Sequence, residues 1–99
     1  MRMLTLALVG VMMLAPAQGF SKTMQKACMK SERNPSRSTC KCIQSVADQR
    51  LSQSDQRLAS KFFNDPHMSQ EIRQSDNRSK EKFWLRYKAF GEVVGRQCG

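Results

Sequence analysis

A run of apolar residues at the N-terminus, directly after Arg2, limits what this chain can fold into more than any other feature. The run covers residues 3–15 and leads into Ala15-Pro16-Ala17, which has the small-x-small pattern of a signal-peptidase site. Ala17-Gln18-Gly19 is a second candidate for the cut. We therefore predict a cleaved signal peptide and a mature protein that folds in an oxidising compartment, periplasmic or extracellular.

Cleavage after Ala17 gives a signal peptide over 1–17 and leaves 82 of the 99 residues, which we expect to form a single helical domain over 18–99. A chain of this length buries roughly 60–65% of the surface that its unfolded state exposes, so its core is thin. The apolar run is shorter than the about 20 residues that a transmembrane helix needs, and no later segment is longer. We expect no transmembrane span in the mature chain.

Apolar residues recur at helical spacing along the mature chain, and no stretch alternates apolar and polar residues as a strand does. We therefore predict an all-α fold, a small bundle of four or five short helices. The clearest amphipathic stripe lies in the last helix, predicted over 80–97 with Ser79 as its N-cap. The stripe consists of Phe83, Tyr87, Phe90, Val94 and Cys98.

Polar residues and a proline mark the beginnings of the earlier helices. Ser38 or Thr39 is predicted to cap the second helix, and Ser52 to cap the third. Asp65 is predicted to cap a short fourth helix and Pro66 to be its first residue, since proline favours the first helical position.

Two glycines, Gly91 and Gly95, lie inside the predicted last helix. Each costs roughly 1 kcal/mol of stability relative to alanine at such a position. Close backbone approach by a neighbouring helix could offset this cost.

Four cysteines fit two disulfides with none left over, and each bridge stabilises a small exported domain by about 2–4 kcal/mol. Cys40 and Cys42 lie about 200° apart around a helix, so one is expected to pair with Cys28 and the other with Cys98. A turn centred near Pro35 slightly favours Cys28–Cys42 with Cys40–Cys98. The swapped pairing remains open, and a redox-active thiol pair is a further alternative.

The charge of the chain points to anionic partners. The 17 basic and 8 acidic residues give a net charge of +9, and loss of Arg2 reduces it to +8. Such a surface attracts polyanions, and export makes nucleic acid an unsuitable natural partner. We predict a non-enzymatic protein that binds an anionic envelope component or an acidic protein. The candidate binding residues are Lys22, Lys26, Lys30, Arg33, Arg37 and Lys41, with Glu32 as the one acid among them.

No pattern of residues predicts catalysis. His67 is the one histidine, and no serine lies in a nucleophile motif beside an oriented base. The eight carboxylates are spread thinly along the chain, and the cysteine spacing does not match a zinc site. We therefore predict no catalytic residue, no cofactor and no metal.

Several stretches of the mature region carry a resemblance. They are CKCIQSVAD at 40–48, FFNDPH at 62–67, EIRQSD at 71–76 and FWLRYKAFG at 83–91. In these stretches the chain resembles a group of small exported bacterial proteins that are often labelled "arginine transporter". The resemblance implies an alternative function, an accessory role in the transport of arginine or another basic amino acid. Glu81 beside Trp84 is the candidate for binding a cationic ligand of that kind.

Overall fold

Five α-helices make up most of residues 22–99, the part of the chain that the computed structural model describes, and no strand occurs among these residues. The helices are α1 Thr23–Lys30, α2 Arg37–Arg50, α3 Gln53–Ser60, α4 Pro66–Arg73 and α5 Arg78–Gln97, and a short 3-10 turn at Lys61–Phe63 follows α3. The predicted all-α fold of four or five helices with two disulfides is confirmed, and the number of helices is five. The predicted signal peptide over 1–17 lies outside the described residues.

Two of the predicted helix starts are confirmed. The Ser52 side chain accepts a hydrogen bond from the Asp55 N–H at 3.1 Å and caps α3. Pro66 is the first residue of α4, where its missing N–H costs no helical hydrogen bond. Asp65 precedes it without making a side-chain cap, so the fixed φ of proline begins this helix alone.

Two other predicted caps are wrong, and each true cap lies two residues or more upstream of the serine or threonine we expected. Ser36, in extended conformation after Pro35, caps α2 by accepting from the Thr39 N–H at 3.0 Å. The Asn77 Oδ1 caps α5 by accepting from the N–H groups of Ser79 and Lys80 at 2.9 and 3.2 Å. An asparagine carbonyl can reach two of the unpaired N–H groups at a helix start, so it displaces Ser79 from that role.

One hydrophobic core joins all five helices. Phe83 and Phe90 of α5 lie in it as the apolar stripe predicts, and Val93 joins them although it lies outside that stripe. Tyr87 connects the aromatic part of the core, since its ring is 5.1 Å from Phe62 and 5.8 Å from both Phe83 and Phe90. The fully or nearly buried apolar residues are Met24, Val46, Ala47, Leu51, Ala59, Phe62, Ile72, Phe83, Phe90 and Val93.

Close helix approach at the two glycines of α5 does not occur within the described residues. A Cβ built on Gly91 or on Gly95 meets no heavy atom within 4 Å, and both positions are exposed. Their helix packs on α2, α3 and α4 through the side that carries Phe83, Phe90 and Val93. The cost of these glycines is therefore not offset by packing inside this part of the chain.

The favoured disulfide pairing is wrong, and the swapped pairing is observed. Cys28 bonds to Cys40, with 5.6 Å between their Cα atoms, and Cys42 bonds to Cys98 at 5.5 Å. Because α2 starts at Arg37, earlier than predicted, Cys40 lies opposite Cys28 across the α1–α2 hairpin. Cys42, on another side of α2, faces the end of α5.

A buried polar network joins the first three helices. The Gln44 Oε1 accepts from the Gln25 N–H at 2.9 Å, and the Gln44 side-chain amide donates to Gln56 Oε1 at 2.9 Å and to Asp48 at 2.8 Å. Lys22, at the start of α1, has a left-handed backbone with φ of 60° and makes no side-chain cap. Gln44 of α2 therefore performs the capping of α1 that the residue before that helix does not.

Candidate functional site

The six predicted binding residues all lie on one hairpin, which we call the basic hairpin and define as residues 22–41. It comprises Lys22, α1, the loop 31–36 and the first five residues of α2. The side chains of all six residues are exposed, and the Cys28–Cys40 bridge joins the two helices that carry them. The structure thus presents the predicted residues to solvent on a covalently closed element.

On α1 the basic residues follow the helical repeat. Lys22, Lys26 and Lys30 are spaced four residues apart, so they follow one side of the helix. Met24 and Cys28 are buried on the other side, where α1 packs on α2 and α3. The lysines therefore point away from the core along a length of about two turns.

The remaining three cations extend this surface around the turn of the hairpin. Arg33 lies in the loop, and Arg37 and Lys41 lie in the first two turns of α2. Asn34 gives the loop its reversal with φ of 51°, a left-handed conformation that asparagine tolerates better than most residues. The chain therefore reverses here without a glycine.

None of the six cations forms an ion pair with a carboxylate among residues 22–99. The two ion pairs in this part of the chain lie elsewhere: Arg86 with Asp55 at 2.7 Å, and exposed His67 with Glu71 at 3.7 Å. The bidentate hydrogen bond to Asp55 raises the pKa of the Arg86 guanidinium. The ion pair of Arg86 with Asp55 thus joins α5 to α3. The charges of the basic hairpin, in contrast, remain free to bind an anionic partner.

A cavity that the sequence analysis did not predict opens beside the basic hairpin. It has a volume of about 330 Å³, and residues of the hairpin loop and of all five helices line it. Cys28 and Ala59, which are 0% and 1% exposed, form its floor, and Phe62 and Phe63 line its wall. Arg33 and Pro66 also line the cavity, and because both are exposed we place them at its mouth.

Three hydroxyl groups accompany the apolar wall of the cavity. The Ser31 Oγ donates to the Cys28 carbonyl at 2.8 Å, and the Ser69 Oγ donates to the Pro66 carbonyl at 2.7 Å. Desolvation by burial raises the pKa of the Tyr87 phenol, which favours its protonated, hydrogen-bond-donating form. The two serine hydroxyls are therefore occupied by backbone carbonyls, and the lining side chains with free donors are Tyr87 and Arg33.

The remaining candidates from the sequence do not form a site of comparable definition. Glu81 is exposed in the first turn of α5 and Trp84 is half-buried, 5.5 Å from the Tyr87 ring. Within residues 22–99, no three His, Cys, Asp or Glu side chains are grouped as a metal site. None of the described helices has both the length and the apolar character that crossing a bilayer requires.

No protein-family model, curated protein or solved structure matches this chain. The resemblance to small exported bacterial proteins therefore stays a prediction.

Proposed function

We propose that this protein is a small, non-enzymatic protein of the bacterial envelope, periplasmic or secreted, whose basic hairpin binds an anionic surface. The proposal rests on one observation: the basic side chains of this hairpin are exposed and form no ion pair in the described chain. Six cations lie exposed on residues 22–41, and none of them is neutralised by a carboxylate of the described chain. A surface of this kind concentrates anionic groups around itself.

The rigidity of the hairpin supports the proposal. A disulfide with both cysteines fully buried holds α1 against α2, so the helices that carry the cations are ordered before binding. Binding then costs side-chain entropy but little backbone entropy. Each lysine or arginine close to an anionic lipid surface contributes about 1 kcal/mol, and the contribution falls off within a Debye length.

The oxidised cysteines support an exported protein. All four cysteines are paired among residues 22–99, and no free thiol remains there. Disulfides of this kind form and persist in secreted and periplasmic proteins. An envelope location also brings the protein close to anionic head groups and lipopolysaccharide, the surfaces that the basic hairpin suits.

Vesicle binding tests the proposal. The mature protein is sedimented with vesicles that contain phosphatidylglycerol and, separately, with neutral phosphatidylcholine vesicles. We expect binding to the anionic vesicles alone, with an affinity that falls steeply as salt rises from about 0.05 to about 0.5 M, because screening shortens the reach of the charges. Binding that ignores salt, or equal binding to neutral vesicles, would contradict the proposal.

A matched pair of variants locates the binding surface. The triple variant Lys26→Gln, Lys30→Gln, Arg37→Gln removes three charges from the basic hairpin, and we expect a loss of roughly hundredfold in affinity. The control removes the same number of charges from other exposed positions, namely Arg57→Gln, Lys80→Gln and Arg96→Gln. Equal losses in the two proteins would show that net charge alone drives binding.

Three alternative functions predict different experimental results. Capture of an acidic protein in the same salt-sensitive way, without binding to vesicles or lipopolysaccharide, would assign the basic hairpin to a protein partner. Heat released on titration with arginine would favour the accessory transport role that the resemblance implies. A thiol redox role would depend on Cys42–Cys98, which is partly exposed, because Cys28 and Cys40 are closed to other thiols.

A further inference from the structure

The cavity beside the basic hairpin has the size and lining of a small-ligand site. Its volume of about 330 Å³ lies within the range of about 300–1,000 Å³ that ligand sites occupy. Dry cavities of about 150 Å³ accept a benzene molecule, so this space holds one ring with a short substituent, or a short acyl chain. Its wall offers the aromatic and aliphatic contacts that such a ligand needs, from Phe62, Phe63 and Ile43.

The polar groups of the cavity select the charge of the ligand. Arg33 is the only charged side chain among its lining residues, and the described chain provides no carboxylate partner for it. Ser31 and Ser69 already donate their hydroxyl hydrogens to backbone carbonyls. The lining side chains with donors left for a ligand are Arg33, at the mouth, and Tyr87. Both suit an acceptor that carries negative charge.

We propose that this cavity binds a small amphipathic carboxylate, with its apolar part against Phe62 and Phe63 and its carboxylate on Arg33. The apolar part is either an aromatic ring or a short acyl chain, since the same wall accepts both. This site is distinct from the outer face of the basic hairpin, and Arg33 is the one residue that the two share. Arg33 and Pro66 are the exposed residues of the lining, so the cavity opens to solvent on their side.

Titration of the ¹⁵N-labelled mature protein, followed by NMR, tests the inference. The probes are 3-phenylpropanoate and octanoate, with 3-phenylpropanol and 3-phenylpropylamine as neutral and cationic analogues. We expect the acids to shift the amide signals of Arg33, Phe62 and Phe63, the alcohol to bind more weakly, and the amine to bind least. Of the two acids, the tighter binder shows whether the site prefers a ring or a chain.

Two variants connect the binding to the cavity. Arg33→Gln, an exposed loop substitution, is expected to weaken the acids roughly tenfold and to leave the alcohol unchanged, because it removes the charge alone. Ile43→Phe fills the apolar end of the cavity and is expected to weaken all four probes. Far-UV circular dichroism and the dispersion of the NMR spectrum show that each variant is folded.

The triple variant Lys26→Gln, Lys30→Gln, Arg37→Gln separates this inference from the proposed function. It removes charges from the outer face of the hairpin and touches no cavity residue, so carboxylate binding is expected to persist in it. Absence of binding by either acid at millimolar concentration overturns the inference. So does equal binding of acid and amine, or loss of acid binding in the triple variant while Arg33→Gln retains it.

Discussion

Gly91 lowers the stability of α5, and no contact in the described structure compensates for this loss. It lies in the interior of α5 on an exposed side, and a Cβ added there meets no atom within 4 Å. Glycine in such a position loses backbone entropy on folding and contributes no side-chain contact. Nothing in the described structure requires glycine here, since its backbone has no positive φ.

We predict that Gly91→Ala stabilises the protein. The expected gain in the free energy of unfolding is about 0.5–1 kcal/mol, which corresponds to a rise of roughly 2–8 °C in Tm for a domain of this size. Urea unfolding and calorimetry on the purified mature protein measure both quantities. Gly99→Ala is the control, because Gly99 has φ of +65° outside the helix and alanine gains nothing there. An unchanged or lower stability of Gly91→Ala would mean that another chain approaches α5 at this position.

At the scale of elements, the predictions that succeeded depend on neighbours in sequence. Ser52 and Pro66 begin helices through groups at most three residues away, and such signals are visible in one chain. The stripe of α5 also follows from a local repeat, and it placed Phe83 and Phe90 in the core. Ser79 was misplaced because Asn77, two residues earlier, competes for the same N–H groups.

The features that the sequence did not reveal depend on long-range contacts. Gln44 and Gln25 are 19 residues apart, and no local pattern shows that one caps the helix of the other. The cavity likewise takes its lining from the hairpin loop and all five helices, so composition and periodicity do not indicate it. The available signal was the Phe62-Phe63 pair just before Pro66, of which Phe62 is buried and Phe63 only partly buried.

We predict that Gln44→Ala is strongly destabilising. It leaves the Gln25 N–H and the Gln56 side chain buried without their present partner, at an expected cost of about 2–3 kcal/mol. Chemical denaturation measures the loss, and hydrogen exchange at the Gln25 amide is expected to become faster. Gln49→Ala, at an exposed position on the same helix, serves as the control and is expected to have little effect. A small loss with an unchanged Gln25 amide would mean that α1 does not depend on Gln44.

At the scale of the whole molecule, the two disulfides differ in what they hold. Cys28–Cys40 spans 12 residues and closes the hairpin, whereas Cys42–Cys98 spans 56 residues and fixes the end of α5 to α2. In the chain-entropy account the shorter loop contributes about 3 kcal/mol and the longer one about 4 kcal/mol. The sequence supplied the number of bridges but not their connectivity, which depends on a helix start that differs from the predicted one.

Trypsin digestion without reduction tests the connectivity. Cleavage at the basic residues that flank the cysteines gives peptides 27–30, 38–41, 42–50 and 97–99, each with one cysteine. We expect mass spectrometry to find 27–30 joined to 38–41, and 42–50 joined to 97–99. A reduced and alkylated sample shows the four peptides separately and serves as the control. Joined peptides 27–30 and 42–50 would establish the other pairing.

The order of the bridges along the chain has a mechanical consequence. The cysteines close two consecutive rings that do not interlock, and Lys41 alone lies between them. A single nick after this exposed residue would break the only covalent link between the cationic ring and the rest of the molecule. The two pieces would then be held together by packing alone. They would separate in denaturant with both disulfides intact.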